Sequence, residues 1–401
     1  MTKENATTWA PPPEETGELF SWFRQMREAG PVLQEDPTGI WHIFGYPEVA
    51  AVLSDHQHFS NDFSGLAPAP EELAFFVQGN FAAMDPPQHR KIRGLVTQVF
   101  TPKFSAKMEA RIRTITRELM DGMKASSSVD VHNQLSFPMP VMTIAEVIGV
   151  PGTDVPLFKQ WTDVLLSIGG EGDIGQPSDE AVQAITPTMR ELNEYLRAHV
   201  RRKRDVASDD LISLLTNVEV DGSRLSDEEI VGFVALLLIT GQGTTLTIGN
   251  ALLCLDQDPQ AKAALRADYS SIPGAVEEVI RYRSQAARTG RLCVEDATIG
   301  GATIPRNGIV TVWLAAANRD PRQFADPDTF DFRRSPNQHL ALGHGIHFCL
   351  GASLARTQAR VVLEELFERT TSFQIDKERT SWLDPRSVIG PKEMSLFVEW
   401  R

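Results

Sequence analysis

Cysteine is scarce in this chain: Cys254, Cys293 and Cys349 are the whole supply in 401 residues. So odd and sparse a set excludes a disulfide framework and fits a reducing cytoplasm. No run approaches about eighteen uninterrupted apolar residues, and Met1 to Glu15 is polar and proline-rich with no apolar h-region; neither a membrane span nor a secretory signal is expected. Positive charge is also short. Against 53 Asp and Glu stand 39 Lys and Arg, a net charge of −14, which argues against nonspecific binding to nucleic acid or anionic membrane. Hydrophobic residues make up 42% of the chain, enough for a sizeable core. Length alone suggests two or three domains. The motifs from about position 80 to the end serve one site, however, so we expect a flexible tail over 1–16 and a single domain over 17–401, soluble, cytoplasmic and monomeric.

The motifs centre on His339 to Gly351, His-Leu-Ala-Leu-Gly-His-Gly-Ile-His-Phe-Cys-Leu-Gly. Gly343 and Gly345 precede Cys349 and Gly351 follows it; glycine serves where φ is positive or another body must approach closely. Leu350, Leu354, Val361, Leu363, Leu366 and Phe367 then recur at helical spacing. Cys349 is thus placed at or just before a helix N-terminus, where a thiolate is favoured over a thiol. Three readings compete. One is a glycine-rich turn with a buried cysteine. Another is zinc held by His339, His344, His347 and Cys349, although no second knuckle of Cys and His occurs in the chain. The third is a haem with one axial thiolate, which donates electron density to iron and favours O–O cleavage.

The run Gly343-His344-Gly345-Ile346-His347-Phe348-Cys349-Leu350-Gly351 resembles the haem-binding loop of the cytochrome P-450 family, with Leu342 standing where that family usually has phenylalanine. The resemblance implies a mostly α fold with a smaller β part near the N-terminus, a long buried central helix over the haem, and haem b ligated by Cys349. It also implies the soluble bacterial type, which receives electrons from a ferredoxin-type partner and an NAD(P)H-dependent reductase.

Taken in order, the chain predicts a helix over Leu19 to Ala29 from the spacing of Phe20, Phe23 and Met26, then a β-like run from Ile40 to Phe44. Asn61 to Ala83 reads as irregular and apolar, in the manner of a pocket-lining loop. His89 and Arg93, four apart after Pro86-Pro87, share a helix face; the resemblance puts both on the haem propionates. Helices are expected over Thr101 to Lys124 and Met139 to Gly149, with a turn of small residues from Lys124 to Val129. Ser167 to Pro187, glycine-rich and poor in large apolar residues, reads as a mobile connection, and in the family the corresponding region is a lid over the substrate. A charged helix from Glu191 to Arg204 follows.

Ser226 and Glu229 form a capping box that opens a helix apolar on every side and reaching about Asp256. At roughly 45 Å it is long enough to cross the domain. Its middle, Thr240-Gly241-Gln242-Gly243-Thr244-Thr245, puts two glycines in a buried helix at about 1 kcal/mol each relative to alanine. A broken local rule of this sort marks either close helix packing or a functional site. The stretch resembles the family's Ala/Gly-Gly-x-Asp/Glu-Thr-Thr, in which the threonine matched by Thr244 orients the proton supply for oxygen activation. Gly243 replaces the acid and Thr240 the small residue. With no titratable group at 243, proton relay falls to water held by Gln242 or Thr240, or the reaction needs little relay.

Glu278 and Arg281 are paired at i,i+3 and resemble the family's Glu-x-x-Arg motif, which implies a buried network completed by an arginine of the later meander, Arg334 or else Arg333. The resemblance adds Arg291 and His339 at the propionates and includes His347 among the cofactor-binding residues. Ile299 to Pro305 predicts a Gly-Gly hairpin and Val310 to Leu314 a buried strand. By position in the family's substrate-contacting segments, Phe75, Phe81, Leu236, Ile239, Ala286 and Ile389 wall the pocket. Arg356 and Arg360 are expected to supply positive charge to the electron-donor surface.

The function implied is insertion of one oxygen atom from O2 into an apolar small molecule, with secondary metabolism among its settings. Two alternatives stand beside it. Gly243 motivates a haem-thiolate enzyme of rearranging, coupling or peroxide-driven chemistry; the other is a metal- or ligand-binding protein without redox chemistry.

Overall fold

The computed structural model describes residues 10–66, 74–98, 100–167, 179–206, 210–219 and 222–401. The chain divides into two compact units, one made of Met1–Phe63, Glu277–Cys349 and Trp382–Gly390, the other of Ser64–Val276, Leu350–Ser381 and Pro391–Arg401. Ten strands are defined among the described residues: β1 Val32–Gln34, β2 Trp41–Ile43, β3 Phe59–Ser60, β4 Ser128–Asp130, β5 Thr289–Cys293, β6 Ala297–Ile299, β7 Ala302–Ile304, β8 Ile309–Val312, β9 Thr370–Trp382 and β10 Pro391–Trp400.

The first unit carries a five-stranded sheet in the order β1-β2-β8-β5-β3. β2 and β8 run parallel, Trp41 opposite Val310, while β5 pairs β8 antiparallel. Half of this sheet therefore comes from residues far beyond the N-terminal region, and a second sheet, β4-β10-β9, draws on the C-terminus. This corrects the expected N-terminal location of the β part. Strand segments too short for a local signal acquire their structure from partners distant in sequence. Thr16–Ala29 is helical and buries Leu19, Trp22, Phe23 and Met26 against Trp313, whose ring lies 5.1 Å from Trp22 and stacks on Phe44 at 6.0 Å. Between β6 and β7, Gly300 (φ 57°) and Gly301 (φ 84°) make the hairpin turn with both central residues left-handed. The strand expected to reach Leu314 ends at Val312, and Leu314–Ala317 is a short helix.

The second unit is helical, with its long elements at Gln88–Thr97, Pro102–Met123, Pro138–Ile148, Asp179–Asp205, Asp227–Thr240, Gly243–Gln257 and Ala352–Arg369. The capping box forms: Glu229 N donates to Ser226 Oγ at 3.1 Å and Ser226 N to Glu229 Oε2 at 2.8 Å. Beyond it the expected continuous helix is broken at Gly241 and Gln242. The segment Asp227–Gln257 is long and apolar enough to cross a membrane, but 67% of its most apolar window is buried inside the fold, as befits a core helix. The irregular stretch before Ala83 contains a helix, Ala74–Gly79, and a single turn, Phe81–Ala83. Tertiary contact explains that helix, because a Cβ on Gly79 would fall 2.2 Å from Phe233 N and only glycine lets the two backbones approach so closely. The expected connection over 167–187 is shorter than predicted, since the helix begins at Asp179 and runs through Pro187; residues 168–178 of that connection lie outside the described residues.

Candidate active site

Cys349 sits on a loop shaped by glycine. Gly343 (φ 77°) and Gly345 (φ 67°) are left-handed, and a Cβ on Gly345 would stand 2.7 Å from Leu53 O. The loop folds back on itself, Cys349 N donating to Leu342 O at 2.8 Å and Phe348 N to Gly345 O at 3.2 Å. Cys349 is half-buried, whereas Cys254 and Cys293 are buried, and none of the three is in a disulfide. Burial pushes the Cys293 thiol up from its ordinary value, which disfavours it as a thiolate donor. Among the described residues no three or more His, Cys, Asp or Glu side chains form a metal-binding group, so the four-ligand zinc arrangement is not built.

A buried charge network braces this loop. Glu278 and Arg281 are fully buried and doubly hydrogen-bonded, Arg281 Nη2 to Glu278 Oε1 at 2.7 Å and Nε to Oε2 at 2.8 Å. Arg334 Nε reaches both oxygens at 3.2 Å. Asp331 N at 2.9 Å and Asn337 Nδ2 at 3.1 Å complete the shell of Glu278. The neighbouring Arg333 stacks instead on Phe332, 4.3 Å from the ring centre. Arg281 Nη1 also donates to Asn318 O at 2.8 Å. Asn318, fully buried, accepts from Leu340 N at 2.7 Å and ties the network to the start of the cysteine loop. Sequence reasoning missed Asn318 as a brace. Its signal was one amide following the apolar run Leu314 to Ala317.

Two basic residues of the same unit point to an anionic ligand. Arg291 on β5 is buried and donates to Gly290 O at 2.6 Å. His339 is fixed at Nε2 by Glu277 Oε1, 3.0 Å away, an unforeseen partner, while its buried Nδ1 has no hydrogen-bond partner. Buried polar atoms are rarely left so. A buried guanidinium, an orphaned imidazole nitrogen and a half-buried cysteine on a glycine loop fit the carboxylates and the metal of a haem. His347 lies in the turn Gly345–His347.

In the helical unit His89 is buried and shares a face with Arg93. The ring of Phe81 stands edge-on to His89 at 6.0 Å, and the Arg93 guanidinium lies 5.2 Å over the centre of the same ring. Around the helix break, Gln242, Thr244 and Thr245 are buried, and Thr245 Oγ1 donates to Gln242 Oε1 at 3.1 Å. Thr240 turns its hydroxyl to its own helix, donating to Leu236 O at 2.8 Å, and is exposed. Thr244 N and Thr245 N reach back three residues, to Gly241 O at 3.4 Å and Gln242 O at 3.0 Å, which tightens the turn. Close packing accounts for Gly241, whose Cβ would meet Ile144 Cδ1 at 2.0 Å.

The residues expected to wall the pocket divide. Phe81 and Leu236 are buried and Ile239 half-buried in the helical unit. Ala286 bridges to Val388 in the other unit, where Ile389 is fully buried in the aromatic cluster around Trp313. Phe75 lies in the helix Ala74–Gly79; its side chain is outside the described residues. Arg360 does not offer the free positive charge expected of it, since it is paired with Glu109 at 2.6 Å and Glu364 at 2.8 Å.

A profile of the family described as Cytochrome P450 matches residues 171–395. Cyclomarin C epoxidase CymV of Salinispora arenicola is 37% identical over 380 residues, spanning 94% of this chain and 95% of the relative. Erythromycin C-12 hydroxylase of Saccharopolyspora erythraea is 38% identical over 368 residues, 90% of this chain and 89% of the relative. The crystal structure of HmtT, involved in himastatin biosynthesis, is similar with a TM-score of 0.86 and 40% identity, covering 94% of this chain and 96% of that one. Fold and relatives together define a bacterial haem oxidoreductase. The chain belongs to the cytochrome P450 family; its cofactor is haem b and its activity is of the monooxygenase type.

Proposed function

We propose that the chain is a tailoring monooxygenase of secondary metabolism, acting on an apolar molecule and fed by a ferredoxin-type partner with an NAD(P)H-dependent reductase in the cytoplasm. The observation carrying this reading is Cys349, half-buried and in no disulfide, on its left-handed glycine loop, together with relatives named for oxidising cyclomarin C and erythromycin over nearly their whole length. Haem held by a thiolate supplies activation of O2 and transfer of one oxygen atom to carbon. Cys349 would hold the haem iron through its thiolate in this reading. Arg291, His339, His347, His89 and Arg93 partner the propionates, Arg and His being suited to charge-assisted bonds with carboxylates. Leu236, Ile239 and Ala286 face the substrate.

Proton handling falls to Thr244 and Gln242. Thr244 contributes a buried hydroxyl, and Gln242, held at Oε1 by Thr245, keeps its amide nitrogen to anchor a water where Gly243 leaves space. Thr240 gives its hydroxyl proton to Leu236 O, which leaves it only an acceptor for such a water. Gly243 in place of the family's acid also motivates a second reading, haem-thiolate chemistry that needs little proton relay, such as rearrangement, coupling or peroxide-driven oxidation.

Turnover of cyclomarin-like peptides and macrolides, compared under two regimes, separates the readings. The first expects product only with NADH, reductase and ferredoxin; product from hydrogen peroxide alone, without a redox partner, would establish the second.

A further inference from the structure

Phe81 touches both basic side chains of the Gln88–Thr97 helix, His89 at its edge and Arg93 over its face. The ring is itself fixed from the far side by Phe233, at 6.0 Å. Phe233 has little room to move, because its backbone lies against Gly79 and its ring meets Phe100 edge-on at 6.1 Å. On the other side of the same helix Lys91 Nζ donates to Glu229 Oε1 at 2.6 Å, while Glu229 Oε2 caps Ser226 N at 2.8 Å. One carboxylate thus both opens the Asp227–Thr240 helix and sets the rotation of the helix bearing His89 and Arg93. At 5.2 Å from the ring centre the Arg93 guanidinium is within cation–π range of Phe81, an attraction that limits where its N–H donors can go.

We infer that Phe81 is a positioning residue for the cofactor rather than a wall of the substrate pocket: it holds Arg93 and His89 in the arrangement that receives a haem propionate. The inference rests on the assignment of those two residues to the propionates. A substitution that keeps apolar volume but removes the π face should therefore loosen the hold on the guanidinium. A tyrosine, which keeps the face, should not.

The test compares wild type, Phe81→Leu, Phe81→Tyr and Arg93→Ala as purified holoproteins. The readouts are the rate of haem transfer to excess globin apoprotein and the ferric/ferrous midpoint potential, with Phe81→Met available should the leucine variant fail to accumulate. We expect Phe81→Leu to lose haem about fivefold faster and to shift the potential in the same direction as Arg93→Ala, and Phe81→Tyr to match wild type. If Arg93→Ala releases haem faster but Phe81→Leu does not, Phe81 does not position it and the inference falls alone. If Arg93→Ala also leaves both readouts unchanged, the propionate assignment falls and takes the inference with it.

Discussion

The two units are specified by different means. In the unit carrying Cys349, buried polar groups find several partners each: Glu278 accepts from Arg281, Arg334, Asp331 and Asn337, and Asp320 holds Tyr46 N at 2.8 Å and Arg322 Nη2 at 2.7 Å. The helical unit has a comparable centre at Glu365, which accepts from Arg113, Arg117 and Arg369, but around the Gly241–Gln242 break it relies on apolar side chains and on glycines that let helices approach, as Gly79 does at Phe233 and Gly241 at Ile144. Directional bonds fix a loop to one geometry. Apolar packing with small-residue contacts tolerates adjustment around the Gly241–Gln242 break. The thiol side is thereby held by directional bonds, and the stretch around the Gly241–Gln242 break is where this chain departs from the family's pattern.

The largest effect should come from breaking the polar unit. Glu278→Ala leaves Arg281 and Arg334 buried without their shared partner, a loss of about 3–5 kcal/mol; thermal unfolding and haem content of the purified variant should show little folded holoprotein. A near-native melting temperature would mean that the network is dispensable.

Acid tests the same unit more gently. Burial lowers the His42 imidazole from its ordinary 6.5 to about 4, while Trp313 Nε1 donates to its Nδ1 at 3.1 Å and Glu35 lies 3.3 Å from Nε2. The folded state therefore binds this proton less readily than the unfolded one. The resulting stability is complete above about pH 6.5 and declines as pH falls toward 4, by up to about 3 kcal/mol. Urea unfolding across that range should follow this slope in wild type and flatten in His42→Phe.

In the helical unit the expected cost is smaller. Gly79→Ala drives a Cβ into the backbone at Phe233 and Glu229, and overpacking of this kind costs about 1–3 kcal/mol, read as a lower melting temperature. Gly243 sharpens the comparison through turnover. Product formed per NADH consumed should lie well below one in wild type, with the balance released as peroxide, and should rise in Gly243→Glu. Tight coupling in wild type with no gain in the variant would show that the missing acid is no handicap.

Much of this was legible in advance because the signals were local. The capping box at Ser226, the glycine pair at Gly300 and Gly301, and the helix face shared by His89 and Arg93 all follow from short spacings, whereas Arg334 as partner of Glu278, 56 residues away, was legible only through the family resemblance. Other features depend on contacts distant in sequence. The β5 and β8 strands join β2 only in the fold, Ala74–Gly79 becomes helical against the backbone of 229–233, and Asn318 reaches Leu340 across 22 residues. Arg360 illustrates the limit for charge, since its partner Glu109 sits on a different helix.

The measurement that bears most directly on the account is the absorption spectrum of dithionite-reduced protein under carbon monoxide, for wild type and Cys349→Ser. The account predicts the red-shifted Soret band of thiolate-ligated ferrous haem in wild type and its loss in the serine variant. A folded, haem-loaded wild type without that band, or a serine variant that keeps it, would contradict Cys349 as the ligand.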